Sequence, residues 1–327
     1  MIARNMKLKK LWIILLALCL VGCGNQQEET GSIRETSLPT EAVEAQTTTE
    51  TTEAPTVPST QTEPPTTEPV QTEPILQPEP HNEDFVKVTT YIPDLAVDLR
   101  YATKNNFTGQ QIYSFTDVYL RYGTVQKLIL VQEELRQQGL SLKIWDGFRP
   151  PSAQFLLWEV YPDHTYVSDP NKGFSSHSRG NTVDLTLMYT DGREVEMPTE
   201  FDDFSKRADR NYNDCTKEAA KNGQLLETVM KKHGFKPYSK EWWHFTDTTA
   251  YDVEQAFEPV AEAWYYADCQ SYISLRTNPS RNEEVITKIP AGETFSVLAT
   301  HGNFAYVEYQ GVYGYVLQDY IQPKQLP

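Results

Sequence analysis

The chain has 327 residues, of which 39% are hydrophobic and 12% aromatic, and its formal net charge is −16 at pH 7. This length and this apolar content are sufficient for two folded domains. The charge is uneven, because residues 25–82 contain eleven Glu and a single Arg, so most of the acidity lies in that segment. The remainder is only mildly acidic, which argues against nucleic acid as a partner, since binding it requires a clustered basic face.

The N-terminus has the pattern of an export signal. Basic residues within the first ten positions precede an apolar run from Leu11 to Leu18, followed by L-V-G-C ending at Cys23. The run is shorter than the roughly 20 residues that a membrane-spanning helix needs. The L-V-G-C sequence resembles the lipobox of bacterial lipoproteins, which implies that residues 1–23 are a signal peptide with a lipid-modified Cys23. We therefore expect an exported lipoprotein, anchored to the outer face of the cytoplasmic membrane.

Residues 24–83 are dominated by Thr, Glu, Pro and Gln. Such a composition buries too little apolar surface to offset the loss of chain entropy, so it predicts a disordered segment that Pro and self-repulsion keep extended. We expect this segment to act as a tether between the membrane and the folded part.

Residues 84–257 are predicted to form an α+β domain. Hydrophobic periodicity and capping residues predict two helices and three strands: a helix capped by Thr124 and stopped by Gly139, a helix over Thr216–His233, and strands over Leu142–Trp145, 183–188 and 242–246.

Residues 259–324 have a different pattern, with short alternating strands separated by Gly, Pro and Asn turns, which predicts a small all-β barrel. The order L-R-T-N-P-S, I-P-A-G-E and G-Y-V resembles bacterial SH3-like domains. This resemblance implies that the domain binds cell-wall peptidoglycan and targets the protein instead of catalysing a reaction. Cys215 and Cys269 could pair, but because there is one in each predicted domain and no local spacing pattern, they are expected to be two buried thiols.

The stretch S-S-H-S-R-G-N-T-V-D-L-T-L at 175–187 contains an acid within an apolar strand. Alternation places Asp184 and Thr186 on the face opposite the apolar side chains of that strand. A turn containing Gly180 can fold His177 back beside Asp184. Taken alone, such a pair is more often a hydrogen-bonded surface pair than part of a metal site.

A second stretch, K-E-W-W-H-F at 240–245, adds a His and an acid beside two Trp. His177, Asp184 and His244 together provide three nitrogen and oxygen ligands and leave a fourth position for water, which is the arrangement of a catalytic zinc site. Glu241 is then suited to act as a general base, and we expect it in a turn or bulge before the strand. Arg149, in D-G-F-R-P-P, either stabilises a developing oxyanion or is salt-bridged to Asp146; the sequence leaves both open.

Five motifs occur in the order and at the distances found in the D-alanyl-D-alanine dipeptidases of the VanX type: D-L-R-Y-A-T-K-N-N-F-T-G at 98–109, D-G-F-R-P-P, S-S-H-S-R-G-N-T-V-D-L-T-L, F-D-D-F and E-W-W-H-F. The chain resembles that family over about 85–250. The resemblance implies a zinc D,D-dipeptidase that cleaves D-Ala-D-Ala, with the three ligands above, Glu241 as the base and Arg149 as transition-state stabiliser. It also implies that Asp202 anchors the free ammonium of the substrate and that Ser175 lines the pocket, although Asp203 is adjacent to Asp202.

The export signal distinguishes this chain from the best-known members of that family, which act on a cytoplasmic pool of the dipeptide. We therefore expect a role in wall turnover or in salvage of extracellular D-alanine. Two alternatives remain open on the sequence: a D,D-carboxypeptidase that trims wall stem peptides, and a non-catalytic wall-binding lipoprotein.

Overall fold

The computed structural model describes residues 74–164 and 166–325. The predicted signal peptide, Cys23 and most of the predicted tether lie outside these residues. Within the described ranges, no helix combines the length and the apolar character needed to cross a bilayer.

The first domain is built on a five-stranded sheet with the order β2-β4-β5-β7-β6, in which only β2 and β4 are parallel. A separate antiparallel pair, β1 and β3, accompanies it. The elements are β1 Phe85–Lys87, α1 Val88–Tyr91, β2 Ala96–Val97, β3 Tyr119–Arg121, α2 Tyr122–Arg136, β4 Leu140–Asp146, α3 Pro151–Val160, β5 Thr182–Tyr189, α4 Lys217–Lys232, β6 Phe235–Pro237 and β7 His244–Asp247, with 3-10 turns at Arg100–Ala102, Ser176–Arg179 and Lys206–Ala208.

Helices α2 and α4 bury their apolar faces in the same core as β5. Leu128 of α2 and Leu226 of α4 are fully buried there together with Val183 and Leu185. Helix α4 begins and ends as predicted: the hydroxyl of its N-cap, Thr216, accepts a hydrogen bond from the Ala219 N–H at 3.0 Å.

One prediction in this domain was wrong, and one helix was missed. Thr124 is not the N-cap of α2, which begins at Tyr122 directly after β3; the Thr124 hydroxyl instead donates a hydrogen bond to buried Asp247 at 2.9 Å. Helix α3 was not predicted at all. It starts at Pro151 because proline is well tolerated in the first turn of a helix, where no N–H is required.

The C-terminal domain is a seven-stranded antiparallel sheet with the order β10-β9-β13-β12-β11-β8-β14. Its elements are β8 Phe257–Ala267, β9 Tyr272–Arg276, β10 Val285–Pro290, β11 Thr294–His301, β12 Phe304–Tyr309, β13 Val312–Leu317 and β14 Ile321–Pro323, with a 3-10 turn at Gln318–Tyr320. The predicted fold class, an α+β domain followed by a small all-β domain, is confirmed. Cys215 and Cys269 are unpaired, but both are half-buried instead of buried.

The last part of the predicted tether does not follow the expectation of disorder. Ile75 packs against the apolar core of the C-terminal domain, and the side-chain oxygen of Gln77 accepts a hydrogen bond from the Tyr313 N–H at 2.6 Å. Strand β13 pairs with β9 only at Tyr315↔Arg276, which leaves the Tyr313 N–H open to this contact. Further along, the Asn82 carbonyl accepts a hydrogen bond from Gly123 at 3.1 Å. These contacts supply the stabilisation that composition alone did not indicate.

Candidate active site

Three adjacent strands bring acidic and imidazole side chains into one row. In the register of the sheet, Asp184 of β5 lies directly opposite Asp146 of β4 on one side and His244 of β7 on the other. Asp184 is 4% exposed. The alternation in V-D-L-T-L therefore places an acid on the face away from Val183 and Leu185, as predicted, and strand pairing supplies its neighbours.

His177 reaches this row from the 3-10 turn Ser176–Arg179. The Ser175 hydroxyl caps the turn by accepting a hydrogen bond from the His177 N–H at 3.3 Å, and Gly180 ends it in the left-handed region at φ 74°. His177 Nδ1 lies 2.8 Å from the Gly147 carbonyl oxygen, and Nε2 lies 3.3 Å from Asp184 Oδ2. Since a carbonyl only accepts, Nδ1 carries a proton, and Nε2 is the ring nitrogen that faces Asp184.

Glu241 and His244 come from the turn that leads into β7. The Glu241 N–H donates to the Tyr238 carbonyl, and the His244 N–H donates to the Glu241 carbonyl, both at 3.4 Å. This tight turn brings two side chains three residues apart to the same side: Glu241 Oε2 lies 3.5 Å from His244 Nδ1, which is itself 3.0 Å from Asp184 Oδ1. The expected turn before the strand is present, and the intervening Trp242 and Trp243 are buried in the core.

His177, Asp184 and His244 fit a zinc ion. Their ligand atoms lie within 4.8 Å of one another. Asp184 Oδ1 is buried and accepts no hydrogen bond of good geometry, so a lone pair remains open toward the two imidazoles. Two nitrogens and one carboxylate oxygen are a donor set that suits zinc. Burial would raise the pKa of Asp184, but the interaction with His177 and His244 holds that pKa below its usual range, so the carboxylate is ionised, as a metal ligand must be.

Two further carboxyl groups line the same cavity, whose volume is about 310 Å³. Burial raises the pKa of Glu241 above its usual value against the opposing influence of His244. Burial also raises the pKa of Asp202 well above its usual value, and the nearby negative charge of Asp184 adds to this. The carboxyl groups of Glu241 and Asp202 are therefore stabilised either by binding a proton or by a cationic partner.

Asp202, and not its neighbour Asp203, belongs to this cavity. Asp202 Oδ2 accepts a hydrogen bond from the Tyr101 hydroxyl at 2.9 Å, and its backbone is left-handed at φ 57°. Asp203 lines a different pocket, and its Oδ1 accepts a hydrogen bond from the Ser205 N–H at 2.9 Å. Of the two neighbouring acids in the F-D-D-F motif, Asp202 is therefore the one that lines this cavity.

Arg149 forms the ion pair with Asp146 that the sequence left open, and its role at an oxyanion stays a prediction. Its Nε and one terminal nitrogen donate to Asp146 Oδ2 at 3.2 and 2.6 Å, and the other terminal nitrogen donates to Gln154 at 3.1 Å. The ion pair is therefore present, while Arg149 also lines the cavity, as does Ser175. Three of its five N–H groups are used by these bonds, so two remain for a ligand.

The cavity also contains residues that were not predicted as site residues. Tyr101 lies within one of the quoted motifs, whereas His164 and Tyr238 have no sequence signal that indicates a site. His164 shows no neighbouring ligand in the sequence, yet tertiary structure brings it to the wall of the cavity. Cavity residues such as these can be identified only from the folded structure.

A comparison with known families decides what kind of protein carries this geometry. The profile of the D-ala-D-ala dipeptidase family of peptidases matches residues 81–262, more than half of the chain. The chain belongs to this family. It is therefore an enzyme, a dipeptidase, and its residues 271–322 match the bacterial SH3 domain, which confirms the resemblance of the C-terminal domain.

Several curated relatives carry the name D-alanyl-D-alanine dipeptidase. The relative from Escherichia coli K12 is 36% identical over 162 residues, covering 50% of this chain and 83% of the relative. That from Enterococcus faecium is 34% identical over 168 residues, with 45% and 83% covered. That from Streptomyces coelicolor is 33% identical over 187 residues, with 50% and 91% covered.

Proposed function

We propose that this dipeptidase hydrolyses free D-Ala-D-Ala with a zinc ion held by His177, Asp184 and His244. The observation that carries the proposal is one cavity lined by these three residues together with Glu241 and Asp202. The family supports the substrate, since its curated members are named for this dipeptide.

Zinc, when bound, supplies a Lewis acid that polarises the scissile carbonyl and lowers the pKa of water. Glu241 is the base that takes a proton from the attacking water and delivers it to the leaving amine. Its raised pKa suits this role, because an acid–base group works best when its pKa approaches the working pH. The Gly147 carbonyl holds the Nδ1 proton of His177, which keeps Nε2 directed into the site.

Arg149 is proposed to stabilise the negative charge that develops on the carbonyl oxygen. Asp146, itself fully buried, orients the guanidinium through two hydrogen bonds, so the remaining N–H groups are fixed before the substrate arrives. Donors fixed in this way need no rearrangement during the reaction, which is the main source of oxyanion stabilisation.

Asp202 is proposed to bind the free ammonium group of the dipeptide. A carboxyl group whose pKa is raised by burial lacks a counter-ion, and an ammonium supplies one with a charge-assisted hydrogen bond. Ser175 is proposed to contact the substrate nearby, since its hydroxyl retains a proton to donate after accepting the His177 N–H. Such an anchor favours a free dipeptide over a peptide whose amine is blocked.

For the cellular location, we propose export followed by lipid attachment at Cys23, with the dipeptidase facing the cell wall. The basic, apolar and L-V-G-C segments of residues 1–23 support this proposal. The SH3-like domain supports peptidoglycan as a further partner. An enzyme placed there acts on extracellular D-Ala-D-Ala, in wall turnover or in salvage of D-alanine.

The test of substrate compares three compounds with the purified, zinc-loaded protein: D-Ala-D-Ala, its N-acetylated form and a wall pentapeptide ending in D-Ala-D-Ala. We expect release of D-alanine from the free dipeptide only. Equal cleavage of the pentapeptide would favour the D,D-carboxypeptidase alternative, and no cleavage of the dipeptide would refute the proposal.

The test of location compares wild type and Cys23→Ser in cells supplied with a radiolabelled fatty acid. We expect label and membrane association in the wild type, and loss of both in the variant. An unlabelled wild-type protein would contradict lipid attachment.

A further inference from the structure

The two domains share an apolar cluster that behaves as one core. Phe85, Tyr119 and Phe148 of the dipeptidase domain and Phe257 at the junction are each at most 4% exposed. They pack with five residues of the SH3-like domain that are equally buried: Leu298, Ala299, Phe304, Tyr306 and Tyr315. Aromatic side chains bury about 150–250 Å² each, so the two domains bury a large apolar area against each other and are not joined by a linker alone.

Phe148 connects this cluster to the catalytic cavity. Its ring centroid lies 4.5 Å from that of Phe85 and 5.9 Å from that of Phe257, which in turn lies 5.9 Å from Tyr306. Its two chain neighbours face the other way. The Gly147 carbonyl holds His177 Nδ1, and the guanidinium of Arg149 lines the cavity.

The backbone of this segment is hydrogen-bonded on both sides. The Phe148 N–H donates to the Tyr119 carbonyl at 3.1 Å, and the Arg149 N–H donates to the His177 carbonyl at 3.3 Å. A shift of the Phe148 ring would therefore move the Gly147 carbonyl that orients His177, and Arg149, which precedes Pro150 and Pro151 at the start of α3. Tightly packed interiors transmit such shifts because they have little free volume.

A second connection reaches the turn that carries His177. Arg121 places its guanidinium 4.1 Å from the centroid of the Phe85 ring and donates from Nε to the Arg179 carbonyl at 3.1 Å. The same guanidinium donates to Glu254 Oε2 at 3.2 Å, and the Glu254 N–H donates to the Ser178 carbonyl at 2.8 Å. The C-terminal end of the turn, at Ser178 and Arg179, is thus attached to Glu254 and Arg121.

We propose that the SH3-like domain is a positioning element of the dipeptidase site, and that it holds the Gly147–Arg149 segment and the His177 turn through Phe148, Phe85 and Arg121. This role goes beyond wall targeting, and it rests on the proposed function only in that His177 and Arg149 act in catalysis. Without this cover, three aromatic rings of the dipeptidase domain face water and the segment between them loses its fixed position. A misplacement of about 1 Å at a catalytic group can lower a rate by on the order of 100-fold.

The test uses the full-length protein and one substitution at two sites of the SH3-like domain. Tyr306 and Tyr309 are both 5% exposed, but Tyr306 lies in the shared cluster and Tyr309 in the core of the SH3-like domain alone. We compare Tyr306→Ala, Tyr309→Ala and Tyr306→Phe at a temperature at which circular dichroism shows every variant folded. If Tyr306→Ala does not fold, Leu298→Ala takes its place.

Two measurements decide the outcome. Hydrogen exchange of the amides in 147–149 and 177–180 is expected to accelerate in Tyr306→Ala and to remain at the wild-type rate in Tyr309→Ala and Tyr306→Phe. The kcat for D-Ala-D-Ala is expected to fall about 10-fold or more in Tyr306→Ala and to stay within twofold in the other two.

Unchanged exchange and unchanged kcat in Tyr306→Ala would overturn the proposal, and so would equal effects of Tyr306→Ala and Tyr309→Ala. The exchange measurement does not depend on activity. If the wild type fails to cleave the dipeptide, the proposed function fails, while the exchange rates still decide whether the SH3-like domain holds the segment.

Discussion

Replacing Gly180 with Ala adds a single carbon atom, Cβ, to the turn that presents His177. The backbone there is left-handed at φ 74°, and an added Cβ would lie 2.5 Å from Phe85 Cε1 and 2.6 Å from Cζ. The left-handed conformation destabilises the folded state by about 1–2 kcal/mol for a non-glycine residue. Alanine also reduces the conformational entropy of the unfolded chain, which offsets about 0.4–1 kcal/mol of this cost. The steric overlap adds about 1–3 kcal/mol, because Phe85 is held by the Phe148 and Phe257 rings and does not move aside.

The expected loss in the free energy of unfolding is therefore about 2–4 kcal/mol, combining the backbone and the overpacking contributions. Gly109 offers a matched control, since its φ is 67° and an added Cβ would meet nothing within 4 Å. Gly109→Ala should cost only the backbone contribution, about 1 kcal/mol or less. Guanidinium unfolding followed by tryptophan fluorescence measures both variants against the wild type.

Zinc affinity gives the second readout. A displaced turn moves His177 away from Asp184, so Gly180→Ala should weaken zinc binding, whereas Gly109→Ala should bind zinc like the wild type. Equal unfolding midpoints for the two variants would refute the steric argument. A destabilised Gly180→Ala with unchanged zinc affinity would show that the turn does not control the position of His177.

Other changes test individual groups. Glu241→Gln should lower kcat by at least about 100-fold while zinc content measured by atomic absorption stays at one ion per chain; activity within a few-fold of wild type would reject Glu241 as the base. Asp202→Asn should lower kcat/KM for the free dipeptide by about 10–100-fold, and a kcat/KM within twofold of the wild type would contradict an ammonium anchor. Hydrogen bonds from Arg136 lower the pKa of Asp94 to about 2 in the folded protein, whereas the pKa of an Asp in the unfolded chain is near 4. The pair therefore stabilises the fold fully above about pH 4, and this contribution is lost as the pH falls toward 2. Asp94→Asn should therefore cost less than about 1 kcal/mol at pH 7 in urea unfolding, because the pair is largely exposed, and this difference should narrow below pH 4; a difference independent of pH would contradict the linkage.

The sequence indicates where His177, Asp184 and Glu241 lie because their placement depends on local rules. Strand alternation determines the face of Asp184, a glycine turn returns His177 to it, and a tight turn before β7 brings Glu241 beside His244. These rules act over a few residues. The register that places His244 directly opposite Asp184 depends on the pairing of two strands that are distant in sequence. The sequence indicated this proximity only through the combination of two motifs.

Other features could not be predicted because they depend on contacts between distant residues. The hydroxyl of Thr124 matches a helix cap in sequence but bonds to Asp247, which is 123 positions away. Ile75 lies in a segment whose composition indicates disorder, yet the SH3-like domain offers it an apolar surface. No pattern in the sequence indicates that Phe85, Phe148 and Phe257 pack against one another, although the three rings are in contact in the fold.

The contact of Ile75 and Gln77 with the C-terminal domain has a mechanical consequence. The described chain touches its last domain before it enters the first strand of the dipeptidase domain. Tension applied from the N-terminal side therefore reaches the SH3-like sheet through Tyr313 before it reaches the strands that hold Asp184 and His244. A force on the chain N-terminal to Ile75 is therefore first borne by the contacts of Ile75 and Gln77 with the domain that holds none of the candidate site residues.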